Sequence, residues 1–339
     1  MPRRRSDALR TIAIVGGGSI GVGWSVVFAT AGHPVLVYEP DSKRRHDVLP
    51  DALARLERLA AGGLLPDRPE IVAARICVTE TLHETVAAAE HVQECAPEQL
   101  ELKRDLFREL HSLAPAAATL ATSSSAVTID AIAEDLAGRS RCLVVHPANP
   151  PYLLPAVELV PAPFTAPDVV DRTVVLLADA GMSPVVVRRP VEGFVFNRLQ
   201  GALLREAYCL VRDGVASVDD VDRIVRDGLG RRWAIIGPFE TAELNTRGGI
   251  EAHAEKLGPA YARMGAERGQ NDPWTSDLVA RVAAELHDRL PEASWEKRVA
   301  WRDEALIVLE RARRASELFT ADAAAHRPFA DETENERRA

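Results

Sequence analysis

The stretch IVGGGSIGVG, residues 14–23, constrains the fold more than any other part of the chain. It sets Gly16, Gly18 and Gly21 in a G-x-G-x-x-G spacing. A short β-branched run, TIAIVG (11–16), precedes it, and a helical stretch, SIGVGWSVVFATAG (19–32), follows. Glycine-rich turns are common, but this strand–turn–helix context is specific. Gly16 permits a tight turn, Gly18 lets the backbone approach a pyrophosphate, and Gly21 lets the helix pack closely on the strand. The helix then offers unpaired N–H groups and the positive end of its dipole to phosphate oxygens. Glu39 closes the next strand, HPVLVYEP (33–40). A carboxylate there accepts hydrogen bonds from ribose hydroxyls and repels a 2′-phosphate, so the expected cofactor is NAD. Lys43, Arg44 and Arg45, just downstream, leave NADP open.

The alternation of strand and helix continues. Residues 43–61 are amphipathic, with Leu49, Leu53, Leu56 and Leu59 on one side. ARICVTE (74–80), HVQECA (91–96), CLVVHP (142–147), VELVPA (157–162) and MSPVVVRR (182–189) read as strands, the last after a helix at 167–180. Strands separated by helices imply a mostly parallel, covered sheet. From PVEGFVFNRLQGALLREAYCLVRDG (190–214) onward the pattern turns helical. The expected fold is α/β: a Rossmann-like dinucleotide-binding domain over 1–190, then an all-α domain over 191–321. The polar segment 322–339 reads as a frayed tail. A chain of 339 residues suits two domains.

Composition narrows the partners. A formal net charge of −9 argues against nucleic acid, which needs clustered Lys and Arg. No apolar run is long enough to span a membrane, and the basic start runs into the glycine turn rather than a signal peptide. Cys77, Cys95, Cys142 and Cys209 are scattered among apolar neighbours. They read as reduced core thiols of a cytoplasmic protein. No pattern calls for a metal.

The stretch VVHPANPPYLLPAVELV (144–160) holds the chemistry. His146 ends an apolar strand, at the sheet edge where open α/β folds bind ligands. Glu158 sits inside another apolar run. A buried carboxylate is costly unless paired, and a buried His is costly unless satisfied. Pairing them solves both problems: the carboxylate fixes one imidazole tautomer, and the other nitrogen is left to act as a base. Beside a dinucleotide site, such a base suits removal of the proton of a secondary alcohol. The oxygen then needs hydrogen-bond donors. Ser125 in LATSSSAVTI, Asn149 in HPANPP and Asn197 in EGFVFNRLQ are the candidates, against the plain alternatives of a polar loop and a helix-pinning asparagine.

Several long stretches carry a resemblance: ECAPEQLELK (94–103), HPANPPYLLPAVELVPAP (146–163), EGFVFNRLQGALLREA (192–207) and DGLGRRWAIIGPFET (227–241). The chain resembles the 3-hydroxyacyl-CoA dehydrogenase superfamily over about residues 10–315, and within it the λ-crystallin / L-gulonate 3-dehydrogenase branch. That resemblance implies His146 as catalytic base, Glu158 as its orienting partner, and Ser125 and Asn197 completing the catalytic group. It implies Asn149 lining the nicotinamide and substrate pocket, and Glu98 and Lys103 contacting the cofactor. Gly16, Gly17, Gly18, Ile20, Gly21 and Glu39 match the dinucleotide loop and ribose acid. It also implies a homodimer through the helical domain, where Trp295 and Trp301 lie, and a small hydroxy-acid substrate. Two departures bear on that substrate. The arm ARLERLAAGGLLP (54–66) offers Arg55 and Arg58, but a glycine pair stands where acyl-CoA members carry a basic clamp. Arg232, beside Arg231, matches an arginine of the gulonate-type motif and suits a free carboxylate, with a surface ion pair as the alternative. An acyl-CoA substrate, carnitine caged by Trp233 and Tyr152, and a non-catalytic crystallin-like protein remain open.

Overall fold

A computed structural model of the chain describes residues 9–247, 249–268, 275–278, 280 and 291–315. The tail at 322–339 lies outside the described residues, as does the side chain of Trp295. Contacts divide the chain into two units, Met1–Phe196 with Ala300–Ala339, and Asn197–Val299.

The first unit is built on β1 (Ile12–Val15), β2 (Val35–Tyr38), β3 (Ile76–Thr79), β4 (His91–Glu94), β5 (Thr119–Thr122), β6 (Cys142–Pro147), β7 (Ala156–Pro161) and β8 (Ser183–Val186). They form one sheet in the order β3-β2-β1-β4-β5-β6-β7-β8. The pairings are parallel except for β6 with β7. Strand order reverses between β1 and β4, which opens a crevice at the carboxyl edge there.

Side chains alternate across each strand and feed two cores. Ile12, Ile14, Leu143 and Val145 enter one, beneath α1 (Ser19–Ala31), α2 (Ser42–Ala61), α3 (Pro69–Ala73) and α7 (Pro167–Asp179). Ala13, Val15, Cys142 and Val144 enter the other, beneath α4 (Leu82–Val86), α5 (Leu100–Leu113) and α6 (Ile129–Ala133). Helices on both faces explain why the strands read as continuous apolar runs.

Two expectations are corrected. The buried stripe of α2 is Val48, Ala52, Leu56 and Leu59, and Leu49 is exposed. Residues 48, 52, 56 and 59 stand at i, i+4, i+8 and i+11 on one helix face, while Leu49 lies about 100° round from Val48. Cys77 is not a core thiol: it is exposed, because β3 forms the edge of the sheet. Cys142 and Cys209 are buried and Cys95 half-buried, all as free thiols.

Part of the last helix, Trp295–Ala315, packs on the first unit. Asp303 accepts the Tyr152 hydroxyl at 3.2 Å, and Arg314 donates to the Leu64 carbonyl at 3.2 Å. A Cβ on Gly62 would come within 2.1 Å of Ile307, so that contact requires glycine.

The second unit is helical: α8 (Phe196–Arg212), α9 (Val218–Ile224), a π-helical turn at Val225–Leu229, α10 (Gly230–Trp233), α11 (Pro238–Asn245) and α12 (Gly249–Glu267). No helix among the described residues is long and apolar enough to cross a membrane.

Candidate active site

The glycine turn has the shape its spacing implies. Gly16 adopts φ +110°, and a Cβ there would lie 2.7 Å from the Cys95 carbonyl oxygen. A Cβ on Gly21 would lie 1.8 Å from the Gly16 oxygen, so the first turn of α1 can close on the loop only as glycine. Gly18 differs: its Cβ would meet nothing within 4 Å. Open space in front of a helix N-terminus, at the strand-order reversal, is a cradle that fits a pyrophosphate.

Glu39 sits beside this cradle. Its carboxylate accepts the Gly17 amide at 2.7 Å and the Asp41 amide at 3.0 Å. The nearby arginines are committed elsewhere. Arg44 donates to the Gly17 carbonyl and pairs with Asp51, each at 2.7 Å, and Arg45 donates to the Glu39 carbonyl at 3.0 Å. An acid at the ribose position, with Arg44 and Arg45 occupied, fits NAD.

Lys103 has a different place from the one the resemblance implies. Its ammonium is sealed in the interior, 1% exposed, and donates to both oxygens of Glu94 at 2.9 and 3.0 Å and to the Ala96 carbonyl at 3.1 Å. Three donors meet three acceptors, so none is left for a ligand. Burial pushes the Glu94 carboxyl above its ordinary value, against bonds from Lys103, Thr122 and the Ala96 amide. Glu98, 3.6 Å from Lys103, is half-exposed and gathers the loop after β5. Its Oε1 accepts the Ser124 hydroxyl at 2.5 Å and the amides of Ser125, Ala126 and Val127 at 3.0–3.4 Å. Burial raises its pKa, but the bonds from Ser124, Ala126 and Val127 and the charge of Lys103 outweigh it and hold the carboxyl below its usual value. Ser125 therefore reaches Glu98 through its backbone, and Ser124 through its side chain. Glu94 and Ser124 are absent from the sequence reading. Glu94 ends a polar strand, HVQE, and so lacks the signal that exposed Glu158, an acid inside an apolar run.

His146 and Glu158 are direct partners across the antiparallel β6–β7 pair. Opposed residues of such a pair lie side by side on one face, and here Nδ1 and Oε2 are 2.8 Å apart. The other oxygen of Glu158 accepts the amides of Val195 at 2.7 Å and Phe196 at 3.0 Å. The chain turns to present both amides through two left-handed residues, Gly193 at φ +75° and Phe194 at φ +49°. A left-handed phenylalanine is strained. Its ring is fully buried, 5.6 Å from the imidazole, and the Phe196 ring lies 6.3 Å from it on an edge. Burial raises the Glu158 pKa, yet the bonds from His146, Phe196 and Val195 prevail and keep it ionised below the ordinary range. Glu158 accepts only, so His146 Nδ1 carries the donated proton and Nε2 is the basic nitrogen. Nε2 makes no hydrogen bond among the described residues.

The remaining candidates are spread out. Ser125 and His146 follow or end adjacent strands at the carboxyl edge. Asn149 is exposed in the loop between β6 and β7, and Ile20 sits half-buried in the first turn of α1. Asn197 and Arg232 belong to the second unit. Arg232 is exposed there and donates to Asn245 Oδ1 at 3.3 Å. Tyr152 is not available as a cage wall. Arg55 lies over its ring at 5.6 Å, and its hydroxyl is bound to Asp303. Burial pushes that phenol up to about 12. Arg55 also donates to the Ser19 carbonyl at 2.9 Å, beside the phosphate turn.

Comparisons with known proteins agree with this geometry. Residues 11–190 match the model of the 3-hydroxyacyl-CoA dehydrogenase NAD-binding domain, and residues 193–288 match that of its C-terminal domain. A λ-crystallin homolog of Bos taurus is 38% identical over 308 residues, 90% of this chain and 96% of its own. An L-carnitine dehydrogenase of Streptomyces griseus is 37% identical over 322 residues, 93% of this chain and 90% of its own. Among solved structures, an NAD+-dependent 5-formyl-3-hydroxy-2-methylpyridine 4-carboxylic acid 5-dehydrogenase superposes with a TM-score of 0.79. It is 26% identical and covers 91% of this chain and 100% of its own.

Proposed function

The chain belongs to the 3-hydroxyacyl-CoA dehydrogenase family of NAD-dependent oxidoreductases, and from that premise we propose that it oxidises the 3-hydroxyl of a small free hydroxy acid, of the L-gulonate type, to the 3-keto acid. The observation that carries the reading is the His146–Glu158 pair, 2.8 Å apart at the carboxyl edge. Bound NAD supplies the acceptor for the substrate's C–H hydrogen and its electron pair. His146 Nε2 takes the hydroxyl proton as the carbonyl forms, and Glu158 stabilises the resulting imidazolium without accepting its proton. The two amides on Glu158 Oε1 stop the carboxylate from swinging away. Ser125 and Asn197 are assigned to the substrate oxygen, and Asn149 to the pocket wall. Gly16, Gly17, Gly18, Ile20, Gly21 and Glu39 hold the cofactor's phosphates and ribose, and Glu98 shapes the loop beside them.

Arg232 is assigned to the substrate carboxylate, a task that a planar guanidinium performs bidentately. The free-acid reading draws support from two comparisons, since the relatives act on carnitine and on a pyridine carboxylic acid, both of which carry a free carboxylate. Carnitine is the second reading, favoured by the 37% identity of its dehydrogenase. The occupied face of Tyr152 counts against a cage built on that ring. Engagement of Arg55 with Ser19 and Tyr152 likewise counts against its service as a CoA clamp.

We assign dimerisation to the region 191–321, where Ile235, Phe239 and Leu244 are exposed. The free thiols suit a cytoplasmic setting. The test is NADH formation by the purified chain with L-gulonate, 3-hydroxybutyrate, carnitine and 3-hydroxybutyryl-CoA. Turnover of free acids, reduced by Arg232→Gln chiefly through KM, supports the proposal. Turnover of the CoA ester alone overturns it.

A further inference from the structure

The turn that leads into α8 holds a residue that its own backbone disfavours. The Phe194 amide donates to the Val191 carbonyl at 3.0 Å, and the chain reverses through Gly193 at φ +75° and Phe194 at φ +49°. Glycine takes up this left-handed conformation freely. A phenylalanine does so at a cost, because its Cβ crowds a backbone carbonyl. Phe194 is the one non-glycine residue at positive φ among the described residues.

Two contacts hold it there. Its ring is fully buried, in the core that also contains Val144, Val160 and Val187. The amides of the next two residues, Val195 and Phe196, donate to Glu158 Oε1 at 2.7 and 3.0 Å. Glycine at position 194 would reach the same φ without strain, so the turn alone does not call for a phenylalanine. The ring supplies what glycine lacks: it fixes the turn against the core and lies 5.6 Å from the His146 ring.

The consequence falls on Glu158. The two oxygens of a carboxylate move as one rigid plane. With Oε1 held by two amides, Oε2 has little freedom, and it meets His146 Nδ1 at 2.8 Å. The second amide opens α8, so the positive end of that helix also favours the ionised acid. Phe196 is the last residue of the first unit, so the turn and the pair belong to the same unit.

We propose that Phe194 is a positioning residue for the dehydrogenation: its buried ring locks the left-handed turn that aims the Val195 and Phe196 amides at Glu158, and Glu158 thereby holds His146 with its proton on Nδ1. This role rests on His146 as the base. With no exposed surface, Phe194 acts through Glu158 rather than on the substrate.

The test uses the full chain saturated with NAD. Phe194→Leu keeps an apolar side chain but removes the ring. Turnover of the best hydroxy-acid substrate should fall by about tenfold in kcat, less than the roughly 10²–10⁴ of removing the base itself. NAD affinity should hold, and the proton NMR signal of the His146 Nδ1–H should broaden as Glu158 is freed. In the Glu158→Gln background the same substitution should lower kcat no further, because the locked turn then holds the wrong group toward His146. Packing alone would lower the unfolding midpoint and leave kcat and the Nδ1–H signal unchanged. Gly193→Ala strains the same turn without touching the core, and should lower kcat and broaden the signal in the same way.

Parental kcat with an unchanged signal in Phe194→Leu, or an equal loss in the Glu158→Gln background, overturns the proposal. Should Phe194→Leu fail to fold, Gly193→Ala decides by the same two readings. His146→Ala separates the two failures. Normal turnover there removes the base itself, whereas an inactive His146→Ala beside a normal Phe194→Leu removes Phe194 alone.

Discussion

Two buried carboxylates, Glu94 and Glu158, each hold a basic side chain, and they serve opposite ends. Glu94 and Lys103 are 0% and 1% exposed, while Glu158 and His146 are each 9% exposed at the side chain. Lys103 spends every donor on the protein. His146 spends one nitrogen on Glu158 and keeps Nε2 at the sheet edge. The first pair is closed and ties the end of β4 to α5. The second is tied on the acid side only, through the amides of Val195 and Phe196. A buried acid–base pair becomes chemically useful when one partner is fully satisfied and the other retains a free valence.

The comparison breaks first at His146. His146→Ala should lower kcat by roughly 10²–10⁴, the usual worth of a positioned general base. NAD affinity, read by fluorescence titration, should hold, because the glycine turn does not touch this residue. Near-normal turnover would remove His146 from the chemistry.

Lys103→Met addresses the closed pair. It leaves Glu94 buried without its cation, which costs about 3–5 kcal/mol of stability. Urea unfolding of the cofactor-free chain measures this. Lys103→Met combined with Glu94→Gln should regain much of the loss, since the uncompensated charge is gone. If the single variant unfolds as the parent does, the two pairs do not differ as described.

Glu158→Gln sharpens the contrast. The two backbone amides demand an oxygen, so the NH₂ group of the substituted side chain must face His146 Nδ1. That forces the proton onto Nε2 and removes the base, for a loss of roughly 10²–10⁴ in kcat with little change in fold. The acid side of the stability profile should change too. Glu158 has a folded pKa below its unfolded value. Its stabilisation is therefore complete above the ordinary carboxylate range, near about 4.3, and is lost as pH falls through the lower folded value. Acid unfolding of Glu158→Gln should be shallower than that of the parent, and an unchanged slope would deny the carboxylate its network.

Much of this was legible in the sequence, for physical reasons. Parallel strands buried on both faces produce apolar runs, and the glycines of the first turn are demanded by approaches of 1.8 and 2.7 Å. The pairing of His146 with Glu158 was legible because neither can be buried alone. What escaped was what depends on register and on neighbours distant in sequence. The antiparallel β6–β7 pairing sets His146 opposite Glu158, and no local pattern announces that direction. Burial of Lys103 follows from Glu94, on a different element. Tyr152 looked free until Arg55 and Asp303, remote in sequence, covered its face and hydroxyl.

Glu39 gives the smallest effect and tests the comparison from outside both pairs. It too is a carboxylate, but half-exposed, and its partners are amides rather than a cation. Glu39→Gln keeps an oxygen for the Gly17 amide, so the turn should survive. What it loses is the negative charge that repels a 2′-phosphate. The ratio of kcat/KM for NAD to that for NADP should fall by about tenfold, or ~1.4 kcal/mol. Arg44 and Arg45 limit the gain for NADP, since both are bound to backbone carbonyls and Arg44 also to Asp51. Adding Asp51→Asn would release one of those ties on Arg44 and should move the ratio further in the same direction. If the single variant leaves the ratio unchanged, discrimination does not reside in the Glu39 charge, and the committed arginines already exclude the extra phosphate by offering it nothing.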